Sequence, residues 1–195
     1  MNKLVVPKSL KRGDTIALIS ISGGRAGDED MLYRYEAGKK RLEEIWGIHV
    51  IPTPNALAGS NFLYEHPEAR AEDLMWALQN TEVNGIICMM GGDDSYRVLP
   101  YIDLNVIKNN PKVFMGFSDI TSWMAVFAKA GIRAYYGPIL ITPIAQPAAL
   151  DPYTEQAITK CLFSAETIGN VSACSEYTNI EWPVLCTDLM PRVGR

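Results

Sequence analysis

The strongest constraint on the fold is a unit that recurs along the chain: a short apolar run, a loop rich in glycine or serine, then apolar positions at helical spacing. Thr15-Ile-Ala-Leu-Ile-Ser-Ile21 is the first run, and Ser22-Gly-Gly-Arg-Ala-Gly27 leads from it to a helix with Met31, Tyr35, Leu42 and Ile45 on one side. Gly47 is placed to stop that helix. A short strand, Ile48-His-Val-Ile51, precedes a loop with Pro52 and Pro54, and Pro67 opens a helix whose inner face is Ala71, Leu74, Met75 and Leu78. Asn84-Gly-Ile-Ile-Cys-Met-Met90 is the third run, followed by Gly91-Gly92 and a helix from Ser95 to Leu99. Val113 to Phe117 is the fourth, and Ile120, Trp123, Met124 and Phe127 form the helical stripe after it. Extended structure resumes from Ile132 to Tyr136.

Apolar runs alternating with helices over short loops specify an α/β fold with a mainly parallel sheet flanked by helices. In such sheets ligands bind beyond the carboxyl ends of the strands. Ser22-Gly23-Gly24, Gly91-Gly92-Asp93 and Phe117-Ser118-Asp119 all fall at that edge.

Their chemistry is complementary. The run Lys112-Val-Phe-Met-Gly-Phe-Ser-Asp-Ile-Thr121 breaks at Gly116 and presents Ser118 where a helix begins. A serine hydroxyl is a weak nucleophile at neutral pH, and a sharp strand-to-helix turn, nearby N–H donors and a base activate it. A glycine loop lets a backbone N–H approach a substrate carbonyl, and the amide after Ser118 is a second donor at a positive helix end. Taken singly, Gly91-Gly92 also fits a plain tight turn, and Ser118-Asp119 an ordinary helix cap. His49 lies in a strand and His66 before a helix, so neither has an evident claim to be the base.

Other classes receive less support. A net charge of −4 over 195 residues gives no basic excess for binding nucleic acid or a membrane surface. The N-terminus has no apolar run long enough for a signal peptide and no window approaches a membrane span, so a cytoplasmic location is expected. Cys88, Cys161, Cys174 and Cys186 lack metal-ligand spacing and are expected to be reduced structural thiols. No cofactor or metal is expected, and Asp93-Asp94 reads as a solvated turn. Ser22-Gly-Gly-Arg-Ala-Gly27 leaves a nucleotide-binding module as an alternative, without the full dinucleotide-binding glycine spacing. Arg97 and Arg133 fit either a substrate carboxylate or surface ion pairs.

Five segments carry a family resemblance: Arg70-Ala-Glu-Asp-Leu74, Met90-Gly-Gly-Asp-Asp-Ser95, Leu99-Pro-Tyr-Ile-Asp103, Gly116-Phe-Ser-Asp-Ile-Thr121 and Tyr136-Gly-Pro138. In order and spacing they resemble the N-terminal half of the LD-carboxypeptidase family of serine peptidases, over roughly residues 4–182. The Gly-Gly-x-x-Ser segment and the tyrosine before Gly137-Pro138 resemble its microcin C immunity branch.

The resemblance implies Ser118 as nucleophile, an oxyanion hole from the backbone amides of Gly92 and Asp119, and substrate contacts from Gly91, Asp93 and Ser95. It implies a small peptide or an aminoacyl-nucleotide as substrate, and a triad glutamate and histidine carried on a C-terminal domain. Residues 1–165 are expected to form the nucleophile domain. Residues 166–195 read as a linker-like segment and an atypical tail, truncated or altered in frame before the second domain. The chain alone is then expected to be inactive, and to form a homodimer or associate with a missing C-terminal half. The surface so uncovered is expected at residues 139–144 and 184–190.

Overall fold

The computed structural model describes residues 3–146, 149–177 and 193–194. Five strands form one parallel sheet: β1 (Thr15–Ile19), β2 (His49–Pro52), β3 (Val83–Cys88), β4 (Val113–Gly116) and β5 (Tyr135–Tyr136). Their order is β2-β1-β3-β4-β5. The connections carry α1 (Leu32–Trp46), α2 (Ser60–Glu65), α3 (Pro67–Gln79), α4 (Leu104–Asn109) and α5 (Thr121–Lys129), and α6 (Pro152–Leu162) follows the sheet.

Both faces of the sheet are covered, which explains why the strands read as near-continuous apolar runs. Ile16, Leu18, Ile87 and Met115 face one core with Tyr35 and Leu42 of α1 and with Ile158 and Leu162 of α6. Ala17, Ile19, Ile86, Cys88 and Phe114 face the other, against Leu74 and Leu78 of α3 and Trp123 and Phe127 of α5. Alternate residues of one strand thus go to opposite cores, as the two-residue pleat requires.

The expected stop signals act as such. Gly47 ends α1 in the left-handed region at φ 61°, and Pro67 occupies the first turn of α3. Three differences from expectation have local causes. The first strand ends at Ile19, and just beyond it Ser20 turns its hydroxyl to Ala56 O of the loop after β2. Ser95–Tyr101 winds as a 3-10 helix with Pro100 inside it, a residue that cannot donate to an α-helical ladder. Residues 139–144 are not an uncovered apolar surface. Ile139, Leu140, Ile141 and Ile144 are all buried, and the segment is tied to the end of β3 by Leu140 N–H to Cys88 O and Ile141 N–H to Met89 O. The other stretch expected to be exposed, 184–190, lies outside the described residues.

No helix among the described residues is long and apolar enough to cross a membrane. Glu176–Tyr177 pairs with Val193–Gly194 in a small antiparallel ladder.

Candidate active site

β4 delivers the chain to the site. After Gly116, Phe117 is extended, Ser118 takes φ 63°, and a 3-10 turn from Ser118 to Ile120 runs directly into α5. Ser118 is the one non-glycine residue with positive φ among the described residues. An L-residue held there costs about 1–2 kcal/mol, so the surroundings must enforce it. Gly116 permits the tight return: a Cβ on it would stand 2.7 Å from Ile120 Cγ2 and 3.1 Å from Cys88 Cβ. Thr121 Oγ1 donates to Ser118 O at 2.5 Å, and Ser122 Oγ to Asp119 O at 2.9 Å. Ser118 is exposed, and the Asp119 amide precedes the first bonded amide of the turn, Ile120 N–H to Phe117 O.

The loop after β3 lies against this elbow. A Cβ on Gly91 would stand 3.0 Å from Ser118 Cβ and 3.2 Å from its Oγ, so only glycine lets the two backbones approach so closely. Gly91 O accepts from Gly23 N–H at 3.0 Å, which joins the loop after β1 to the loop after β3. Asp119 joins both to the elbow: its Oδ2 accepts from Ser22 Oγ at 2.5 Å and from Ser95 N–H at 2.9 Å. Farther along, Asp94 is gripped in a two-pronged pair by the fully buried Arg70, at 2.9 and 3.1 Å, and Arg70 also donates to Ser22 O. Arg97 adds a contact to Asp94 at 3.2 Å and lies over the Tyr64 ring, so of the two roles open to it the guanidinium sits in an ion pair.

Ser118 opens into a cleft of about 320 Å³ lined by Met90, Gly91, Gly92, Phe117, Ile139, Ile141 and Thr142. Two arginines of α1 hold the far wall. Arg34 Nη1 donates to Ile141 O at 3.1 Å, and Arg41 Nη1 donates to Ile144 O and Gln146 O. Between them Gly38 faces Leu140, where a Cβ would come within 2.8 Å of Cδ1.

Gly91, Gly92 and Ser118 thus share one cleft, with Asp119 beside it. Asp93 is exposed on the same loop, whereas Ser95 is fully buried and turned toward Asp119 and Ser122. The wall from Ile139 to Thr142 was expected as uncovered surface rather than as cleft lining, and the Arg70–Asp94 pair and the Asp119 carboxylate bridge were not singled out from sequence. The buried Arg70 had one signal: an arginine on the apolar face of a helix needs a partner.

Neither histidine lines the cleft. His49 is paired with Thr15 at the amino-terminal end of the sheet, roughly 13 Å of strand away from its carboxyl edge. His66 occupies the N-cap position of α3, lies tilted against the Phe62 ring and bonds Glu68 at 2.7 Å, which holds the Glu68 carboxyl below its ordinary value. The 22–27 loop is occupied by packing rather than open for phosphate. A Cβ on Gly23 would meet Gly91 O, one on Gly24 would meet Gly59 O, and one on Gly27 would meet Leu57.

Residues 16–137 match the family model described as the LD-carboxypeptidase N-terminal domain. "Putative carboxypeptidase YocD" of Bacillus subtilis is 31% identical over 177 residues, covering 89% of this chain and 52% of the relative. The microcin C7 self-immunity protein MccF of Escherichia coli is 34% identical over 94 residues, covering 48% of this chain and 27% of that protein. Among solved structures, an MccF-like protein from Streptococcus pneumoniae in complex with AMP superposes with a TM-score of 0.79 at 28% identity, covering 94% of this chain and 54% of that one. The chain therefore spans about half the length of the Bacillus subtilis relative and of the Streptococcus pneumoniae structure. With the family model covering most of the sheet, from β1 to just past β5, this chain belongs to the LD-carboxypeptidase family.

Proposed function

We propose that this chain carries the nucleophile portion of a serine carboxypeptidase or amidase, in which Ser118 attacks an amide-type carbonyl. The observation that carries the reading is the positive-φ turn at Ser118, pressed against Gly91 at the carboxyl edge of the sheet. Ser118 Oγ gives its proton to a base as it bonds to the carbonyl carbon, and the carbonyl oxygen becomes an oxyanion facing the Gly92 and Asp119 amides. Collapse expels the amine, which takes that proton. Water then attacks the acyl-serine, and the acid leaves. The base is a histidine oriented by a glutamate, both carried on the second domain implied by the family resemblance. Without them, an oxyanion hole and binding alone leave only a residual ~10³–10⁴-fold acceleration over water.

The substrate favoured is a peptidyl- or aminoacyl-nucleotide, on the strength of the likeness to the microcin C7 self-immunity protein and to an MccF-like protein solved with AMP. A murein peptide ending in a D-residue is the second reading, supported by the family to which the chain belongs.

A peptidyl boronic acid bonds to a serine oxygen to give a tetrahedral boronate and releases the serine proton to water, so it tests the reading on the chain itself without the base. Boron NMR is expected to show the tetrahedral signal with the wild-type chain and to lose it with Ser118→Ala. A signal that stays trigonal at saturating protein, or a tetrahedral one that survives the substitution, would contradict it.

A further inference from the structure

The two donors proposed for the oxyanion come from different places: Gly92 from the loop after β3, Asp119 from the elbow after β4. Their separation must match one oxygen atom, and a misplacement of about 1 Å at such a site can cost 10²-fold. Two independent loops do not keep that spacing without a direct link between them. The charged link is the Asp119 side chain, whose Oδ2 accepts from the Ser95 amide at 2.9 Å, three residues beyond Gly92, and the Ser95 hydroxyl adds longer contacts to Asp119 O at 3.5 Å and Ser122 Oγ at 3.2 Å.

A second bond completes the connection. Ser22, from the loop after β1, donates its hydroxyl to the same Oδ2 at 2.5 Å, and Ser22 and Ser95 are both buried. The Ser22 hydroxyl also lies against Gly92, where any Cβ would collide with it. At its other end the Gly92 segment is held by Gly23 N–H on Gly91 O. The Gly92 amide is therefore fixed between two anchors. One of them is the side chain of the residue whose own amide is the second donor.

We propose that Asp119 has a second role, as the positioning residue of the oxyanion hole: its carboxylate sets the distance between its own amide and that of Gly92, with Ser22 locking the bridge. The proposal rests on the nucleophile reading above. Charge-assisted hydrogen bonds from an N–H and an O–H onto one carboxylate oxygen suit the task, since they are shorter and stiffer than neutral ones.

Asp119→Ala, Asp119→Asn and Ser22→Ala separate this role from that of the backbone, because every variant keeps the amide at 119. Two quantities are measured on the full chain: affinity for the peptidyl boronic acid, and hydrogen exchange at the Ser95 amide by NMR. Asp119→Ala is expected to weaken the adduct by about 10- to 100-fold and to speed Ser95 exchange by about tenfold or more. Asp119→Asn keeps one acceptor oxygen and is expected to recover part of both losses. Ser22→Ala, which leaves the Ser95 bond in place, is expected to weaken the adduct less than Asp119→Ala, and it stands in if the alanine variant fails to fold. Unchanged adduct affinity in Asp119→Ala, or in Ser22→Ala where it stands in, overturns the proposal. So does an adduct loss that Asp119→Asn recovers in no part. If the wild-type chain forms no adduct at all, the nucleophile reading has failed. The carboxylate bridge is then judged on the Ser95 amide, and unchanged exchange in Asp119→Ala overturns it.

Discussion

Gly91 stands so close to Ser118 that a methyl group on it would lie 3.0 Å from the serine Cβ and 3.2 Å from Oγ. The contact joins a loop leaving β3 to a turn leaving β4, and it places the serine hydroxyl at the mouth of the cleft. Gly91→Ala is expected to push the Ser118 side chain aside and destabilise the chain by about 1–3 kcal/mol, as overpacking does. Urea unfolding measures the cost. The same variant is expected to bind a peptidyl boronic acid more weakly than wild type.

Strain at Ser118 gives a second expectation. Its φ of 63° suits glycine and penalises alanine as much as serine. Ser118→Gly is therefore expected to be more stable than Ser118→Ala by about 1 kcal/mol, since only glycine relieves the turn. Thermal unfolding of the two variants side by side checks it, and equal stabilities would show that the turn holds no such strain.

Arg70 supplies the third. It is fully buried and its partner Asp94 is mostly so, and the pair fixes the loop that carries Gly92. Arg70→Ala leaves a carboxylate short of its main partner and is expected to cost about 3–5 kcal/mol. Added salt is expected to leave the wild-type contribution nearly unchanged, because a buried pair is little screened. Denaturation midpoints of wild type and variant at low and high salt test both statements.

Lys112 carries a pH signature. Its ammonium donates to Ala77 O and Asn80 O at the end of α3, and burial lowers its pKa from 10.5 to about 8. The unfolded chain therefore holds this proton between about pH 8 and 10.5, where the folded chain has released it. Stability rises with pH wherever the unfolded state binds more protons, so this contribution grows across that window and is lost as pH falls through about 8. Lys112→Met is expected to flatten that part of the stability profile.

How much of this was legible in the sequence follows from which signals are local. The four long strands, the glycine stop of α1 and the proline start of α3 depend on nearest neighbours and were readable. So was the convergence of Gly91, Gly92 and Ser118, since a parallel sheet puts loops after successive strands on one edge. The short helices α2, α4 and α6 were not, although Asp103 and Asp151 cap α4 and α6 through their side chains. Isolated segments of six to eleven residues owe little to intrinsic propensity and much to packing. Residues 139–144 were misjudged for a related reason. An apolar stretch after the last strand can be an uncovered face or a buried wall, and partners distant in sequence, the arginines of α1 and the carbonyls of Cys88 and Met89, make it the second. The Asp119 carboxylate bridge joins residues 22, 95 and 119, a juxtaposition that no sequence spacing encodes.

A crystal structure of the chain with a bound peptidyl boronic acid tests the central claim most directly. Boron is expected at covalent distance from Ser118 Oγ, with one boronate oxygen about 2.7–3.1 Å from both the Gly92 and Asp119 amide nitrogens. An adduct on Ser118 whose oxygens all turn to solvent, or a boronate bound away from Ser118, would contradict it.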